Sequence, residues 1–176
     1  MKILLLVGSG DTKSHTLTLG REVEASLQEL GAETELINLI EYGLPLYDRS
    51  VERADEYDDK TRALLNKSYE ADAFIWLTPI YHNSFSSVLK NALDWQHTKF
   101  PGKVVGLASN GGDRSPQAVD QLTLVARAQH LVSGRIRVCT DSSDYNENYD
   151  LADEGIKSRI KDFAAEIVHL TKRIGQ

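Results

Sequence analysis

Apolar residues along this chain fall into two spacings. Lys2–Val7, Glu33–Asn38, Asp72–Thr78, Lys103–Ser109 and Arg135–Thr140 are short runs rich in Ile, Leu and Val. Several are continuous rather than alternating, the pattern of central strands covered on both faces. Between them the spacing turns helical. Leu19, Val23, Leu27 and Leu30 predict a helix that Gly31 stops. Ile156, Ile160, Phe163, Ile167 and Leu170 form one stripe on an otherwise charged C-terminal helix. Val119, Leu122, Ala126 and Gln129 mark a third helix, and Val88–Trp95 a fourth. Strand–helix alternation of this kind predicts an α/β fold, with a five-stranded parallel sheet between two helical layers. The usual order for such a sheet is 2-1-3-4-5. Two acidic segments, Glu52–Asp59 and Asp141–Glu154, interrupt the pattern. The second carries six carboxylates and no basic residue, which predicts a solvated surface loop. Calcium binding is the sharper alternative, but the spacing is not that of an EF-hand and the turn glycine is missing.

Composition narrows the chemistry by exclusion. At 176 residues the chain has the length of one domain spanning 1–176. No stretch approaches the ~20 apolar residues of a membrane-spanning helix. The opening MKILLLVGSGDT has a short apolar run after one lysine, but no small-residue cleavage site follows, so it reads as a buried first strand rather than a signal peptide. A single cysteine, Cys139, excludes an internal disulfide framework and a multi-cysteine metal site, and fits a reducing cytoplasm. In a strand it packs as a small hydrophobe. The formal charge of −6 and the lack of a basic stripe argue against nucleic-acid binding. His97, His130 and His169 show no metal-ligand spacing.

In an open parallel sheet, ligands bind beyond the carboxyl ends of the strands, where the strand order reverses. The segments that follow Val7, Thr78 and Ser109 are therefore the ones to inspect. Gly8-Ser9-Gly10-Asp11-Thr12-Lys13-Ser14-His15-Thr16 runs into a helix. It offers backbone N–H groups, the hydroxyls of Ser9, Ser14 and Thr16, and the charge of Lys13, a plausible phosphate cradle. It is neither a Walker A loop nor the G-x-G-x-x-G dinucleotide fingerprint. Ser14 acting only as a helix N-cap is the plainer alternative. After strand 3 come Thr78, Pro79, Ile80, Tyr81, His82, Asn83 and Ser84, in which proline turns the loop outward and Tyr81 offers an aromatic face. After strand 4 come Asn110, Gly111 and Gly112, where backbone can approach a flat ring closely. A phosphate loop and two ring-facing loops describe a mononucleotide site, and FMN suits it.

Residues 78–95, TPIYHNSFSSVLKNALDW, closely resemble the loop and helix of the NADPH-dependent FMN reductase family, whose usual form is TPEYNGSIPGVLKNALDW. Twelve of eighteen positions agree, including Thr78, Pro79, Tyr81, Ser84 and all of Val88–Trp95. Gly8-Ser9, Ser14 and Thr16 are similar to the family's G-S-x-R-x-x-S-x-N/T phosphate loop. Leu44–Asp48 is similar to its segment after strand 2, and Ser109 with Gly111 and Gly112 to its flavin-ring loop. Three positions depart from that pattern. Asp11 stands where the family has arginine, His82 where it has asparagine, and Asn83 where it has glycine. The loop after strand 4 also lacks a second glycine pair and continues Arg114-Ser115-Pro116.

The resemblance implies a flavodoxin-like three-layer sandwich that binds FMN through Ser9, Ser14, His15 and Thr16, through Pro79–Ser84, and through Ser109–Gly112. It implies that NADPH or NADH passes hydride to the flavin, then leaves so that a small-molecule acceptor (a flavin, quinone or azo compound) takes the electrons. No side chain is nominated as a general acid or base. Backbone N–H groups near Asn110–Gly112 would stabilise charge on the reduced ring. Tyr81 and His82 would border the acceptor space. Leu93 and Trp95 read as packing residues at a possible subunit contact, and the family is commonly a homodimer or homotetramer. An electron carrier or redox sensor with bound FMN is the alternative function. A flavodoxin's Thr/Ser-x-Thr-Gly-x-Thr loop is not matched by Gly8–Thr16, and a response regulator would need an acidic residue where Thr78-Pro79 stands.

Overall fold

A computed structural model describes residues 1–51, 56–96 and 99–175. Its centre is a parallel sheet in the expected order. β1 (Lys2–Val7) lies between β2 (Glu33–Asn38) and β3 (Ala73–Pro79), and β4 (Val104–Asn110) follows β3. Four of the five predicted strands therefore stand within a residue of their expected limits. The fifth differs. Its place beside β4 is shared by β5 (Val132–Ser133), paired with Val104 and Val105, and β6 (Val138–Thr140), paired with Ala108–Asn110. Between them the backbone N–H of Ile136 donates to Glu166 Oε2 at 2.6 Å instead of joining the ladder.

The sheet is buried on both faces, as the continuous apolar runs require. Ile3, Leu5, Val7, Ile75 and Leu77 pack beneath α1 (His15–Glu29) and α6 (Glu154–Ile174). Leu4, Leu6, Phe74, Trp76, Val105 and Leu107 face the opposite layer, which holds α3 (Asp59–Glu70), α4 (Ser87–Trp95) and α5 (Gln117–Ala128). These strand residues are at most 2% exposed, so each contributes about 1.5–3 kcal/mol of apolar burial. A short helix, α2 (Leu39–Tyr42), follows β2 and ends at Gly43.

Helix α3 was not foreseen in the sequence. Its buried face is Thr61, Leu64, Leu65 and Ser68, a true helical spacing in which two of the four positions are hydroxyls. Thr61 Oγ1 donates to the N-cap Asp58, and Ser68 Oγ donates to Leu64 O at 2.7 Å, so both polar groups are satisfied inside. Of the first acidic segment, residues 52–55 lie outside the described residues, as does His97.

Asn91 and Trp95, one helical turn apart on α4, pin the Leu44–Asp48 segment. Asn91 Nδ2 and Trp95 Nε1 both donate to Pro45 O, at 2.8 and 2.9 Å, and Asn91 Oδ1 accepts from Tyr47 N at 2.7 Å. The Trp95 ring meets Tyr47 and Tyr57 edge-on. Leu93 and Trp95 are thus packed inside the protomer, each 3% exposed, and not at its surface.

Candidate active site at the carboxyl edge of the sheet

Because all strands run parallel, their carboxyl ends share one edge, and the order reverses between β1 and β3. Three loops meet there. Gly8 N donates to Leu77 O at 2.8 Å, and Ser86 Oγ donates to Gly8 O, which joins the loop after β1 to the start of α4. Gly8 must lack a side chain, since a Cβ there would lie 2.5 Å from Leu89 Cβ. Ile80 N donates to Asn110 O at 2.9 Å, joining the loops after β3 and β4. Gly111 N donates to Thr140 O at 2.7 Å, which brings in the end of β6.

In the first loop, Ser9 is 1% exposed and its Oγ accepts the Asp11 N–H at 3.1 Å. Asp11 Oδ1 accepts the Lys13 N–H at 3.0 Å. Ser14 caps α1, with Oγ accepting from Leu17 N at 3.2 Å, so the plainer capping role is present. Thr16 is 1% exposed. Among the described residues, the backbone N–H groups of Gly10, Thr12, His15 and Thr16 find no protein acceptor. Ser9 shapes this loop from within, and its backbone offers free donors.

The second loop is a tight turn. Tyr81 N donates to Ser84 O at 2.9 Å and Ser84 N to Tyr81 O at 3.0 Å. His82 and Asn83 between them have φ of 50° and 62°, as a type I′ turn demands. This explains why the family pattern has Asn-Gly here. Gln121 of α5 clamps the turn, accepting from Ser84 Oγ at 2.7 Å and donating to Asn83 O at 2.8 Å. Tyr81, His82 and Asn83 are exposed at the rim, and Pro79 is buried. The Tyr81 phenol reaches over the first loop, 3.4 Å from where a Cβ on Gly10 would stand.

In the third loop, Gly111 and Gly112 have φ of 112° and 60°, and Asp113 and Arg114 are also left-handed. A Cβ on Gly112 would lie 3.2 Å from Ile80 Cδ1, so the two glycines leave bare backbone above Ile80. Gly111 N–H is occupied by Thr140, whereas Gly112 N–H has no acceptor among the described residues. Ser109, expected with these glycines in the ring loop, stands just before it in the strand. It is fully buried within β4, and its hydroxyl has no partner among the described residues.

A fourth wall comes from the segment Asp141–Glu154, which is largely exposed as a solvated loop would be but turns three residues inward. Asp144, Tyr145 and Leu151 are buried. Arg114 binds Asp144 through Nε and Nη2 and also reaches Asp153. That pairing raises the guanidinium pKa above its usual value. Tyr145 OH lies 3.0 Å from Thr140 Oγ1, which also accepts from Asn110 Nδ2 at 2.9 Å. Burial, helped by the nearby Asp144 charge and opposed by the Thr140 hydrogen bond, pushes the Tyr145 phenol up to about 12. His15 stacks on Tyr145, and burial lowers its pKa. Ser86, Gln121, Thr140 and Tyr145 thus tie these loops together, and the sequence did not single them out. Only Ser86 had a visible signal, its place within the TPIYHNSFSSVLKNALDW motif. Cys139 is half-buried in β6, and His130 and His169 are exposed. Among the described residues there is no cluster of His, Cys, Asp and Glu that could hold a metal.

Comparison with known proteins places this geometry. An FMN-dependent NADPH-azoreductase of Staphylococcus saprophyticus is 31% identical over 182 residues, covering 98% of this chain and 96% of the relative. One from Staphylococcus aureus (strain USA300) is 33% identical over 176 residues, covering 96% and 94%. Among solved structures, FerB, a flavoenzyme NAD(P)H:(acceptor) oxidoreductase from Paracoccus denitrificans, superposes with a TM-score of 0.74 at 18% identity, covering 98% of this chain and 97% of that one. An oxidoreductase from Corynebacterium diphtheriae gives 0.76 at 16% identity, with 98% and 97% coverage. These two likenesses show the flavodoxin-like fold. The model of the NADPH-dependent FMN reductases matches residues 1–137, from β1 to the start of β6, and the chain belongs to that family.

Proposed function

We propose that this chain is an FMN-dependent NAD(P)H oxidoreductase that delivers electrons to a small-molecule acceptor, with azo compounds foremost and quinones or free flavin as further candidates. The observation that carries the reading is the meeting of three loops at the strand-order reversal, the first and third leaving backbone N–H groups free for a ligand. The azo preference is supported by the relatives, which match nearly the full chain.

The residues present fit FMN. Unpaired N–H groups at Gly10, Thr12, His15 and Thr16 suit a phosphate, and Gly111–Gly112 above Ile80 suit a flat ring that needs bare backbone. Bound FMN would supply two-electron chemistry, accepting hydride and releasing it to the acceptor. The protein's part is placement. Ser9, Ser14 and Thr16 hold the phosphate loop in shape while its backbone and Lys13 bind. Pro79, Ile80 and Tyr81 form one side of the ring site, and Tyr81, His82 and Asn83 border the opening where nicotinamide and acceptor alternate. Ser84 anchors that rim through Gln121. Asn110, tied to Thr140, fixes the opposite side, and Gly112 N–H is placed to stabilise negative charge on the ring. Ser109 supports this loop from inside β4.

The whole of 1–176 acts as one FMN-binding unit in this reading. No helix among the described residues is long and apolar enough to cross a membrane, and the lone cysteine suits a reducing cytoplasm. Assembly as a homodimer or homotetramer is supported by an apolar patch beside the site, where Leu46 is 84% and Ile40 38% exposed. Reconstitution tests the cofactor directly. After incubation with FMN and gel filtration, the protein is expected to retain one flavin per chain, seen as an absorbance band at about 450 nm. Protein that elutes colourless overturns the proposal.

A further inference from the structure

Lys13 is a cation without a counter-charge. Among the described residues its ammonium pairs with no carboxylate, although Asp11 is two residues away and the neighbouring 141–154 segment is acidic. The Asp11 carboxylate is instead turned to the Lys13 backbone N–H. The Lys13 ammonium sits 5.0 Å above the centre of the Tyr149 ring. A long lysine chain is costly to order, and a seat on an aromatic face offsets part of that cost while leaving the ammonium's other faces open.

Tyr149 is itself held in place. It has a φ of 68° within a closed turn, in which Asn146 N donates to Asp150 O at 2.9 Å and Tyr149 N to Asn146 O at 3.0 Å. Asn146 Oδ1 accepts the N–H groups of Asn148 and Asp150, both at 2.9 Å. Buried Tyr145 and Leu151 anchor the two ends. His15, the first residue of α1, joins this turn to the phosphate loop. Its ring stacks on Tyr145 at 4.3 Å and meets Tyr149 at 4.6 Å. An open cation, seated on a fixed ring beside four unpaired N–H groups, suits an anion and not a neutral ligand.

We propose that Lys13, seated on Tyr149, is the residue by which this chain selects phosphorylated flavin over riboflavin, and that the His15–Tyr145–Tyr149 contacts are the positioning device that seats it. Lys13 then supplies the charge that the family's arginine would carry where Asp11 stands. The proposal rests on reading Gly8–Thr16 as the phosphate loop.

Titration of the apoprotein with FMN and with riboflavin, followed by quenching of flavin fluorescence, separates the two. Lys13→Gln is expected to weaken FMN binding ~10-fold and to leave riboflavin within about twofold. Tyr149→Leu is expected to weaken FMN ~3-fold, again sparing riboflavin, while Tyr149→Phe keeps the ring and behaves as wild type. The Lys13→Gln/Tyr149→Leu double variant is expected to bind FMN no more weakly than Lys13→Gln alone. An unchanged FMN-to-riboflavin ratio in Lys13→Gln, or full additivity in the double variant, overturns the proposal. Wild-type protein that binds both flavins equally overturns it alone, and wild-type protein that binds neither overturns the FMN reading as well.

Discussion

Arg114 grips Asp144 across 30 residues of chain, and the Asp144 side chain has no exposure to solvent. The pair is bidentate, and Asp144 also accepts the Asp141 N–H at 2.8 Å. It fastens the left-handed end of the Gly111–Arg114 loop to the segment that carries Tyr145. Removing the cation strands a buried carboxylate. Arg114→Ala is therefore expected to lower the urea unfolding midpoint, and Arg114→Lys to recover only part of that, because an ammonium lacks the guanidinium fork. Adding Asp144→Asn to Arg114→Ala is expected to cost less than the sum of the two. An unchanged unfolding midpoint in Arg114→Ala contradicts this account.

Tyr145 gives the fold an alkaline limit. Its pKa is about 12 in the folded chain against an ordinary 10.0, chiefly because the phenol is buried. Above pH 10 the unfolded chain loses this proton and the folded chain keeps it, so stability falls as pH rises from 10 towards 12. The loss amounts to about 2–3 kcal/mol. Below pH 10 both states hold the proton and the contribution is flat. Tyr145→Phe is expected to reduce the slope of stability against pH in that window. The same slope in both proteins would show that Tyr145 is not its source.

Much of this architecture was legible in the sequence, for physical reasons that also explain the rest. β1–β4 stood out because a strand covered on both faces must be apolar throughout, as in Ile3–Val7 and Phe74–Leu77. The fifth strand was expected at Arg135–Thr140, but only Val138–Thr140 joins the ladder there, since Arg135–Arg137 leave it where Glu166 captures Ile136 N–H. Helix α3 was hidden by Thr61 and Ser68, polar residues that are buried because their hydroxyls are satisfied locally. In the site, the motif loops were readable because turn chemistry is local. The 141–154 wall was not. Its charges mask Tyr145 and Leu151, and the partner that allows Asp144 to be buried lies on a distant loop.

The His82–Asn83 turn carries strain that the family's Asn-Gly avoids. Both residues sit at left-handed φ, which side chains other than glycine disfavour. His82→Asn/Asn83→Gly is expected to stabilise the chain by about 1 kcal/mol, raising Tm by ~2–4 °C. A lowered Tm would show that His82 or Asn83 makes contacts outweighing the strain.

Asp11 sets a second, electrostatic limit on FMN affinity. Asp11→Asn keeps the Oδ1 acceptor for Lys13 N–H but removes a negative charge from the phosphate loop. FMN is expected to bind about fivefold tighter at low ionic strength, with the gain shrinking as salt screens it. No gain at low salt would place Asp11 away from the phosphate.

The central claim is that these loops hold FMN where a nicotinamide can reduce it and an acceptor can reoxidise it. The most direct measurement is an anaerobic titration of the FMN-loaded protein with NADPH, followed by addition of an azo dye. The account predicts stoichiometric bleaching of the flavin band at about 450 nm by NADPH, then its return as the dye loses its own colour. Flavin that stays oxidised in the presence of excess NADPH and NADH would contradict it.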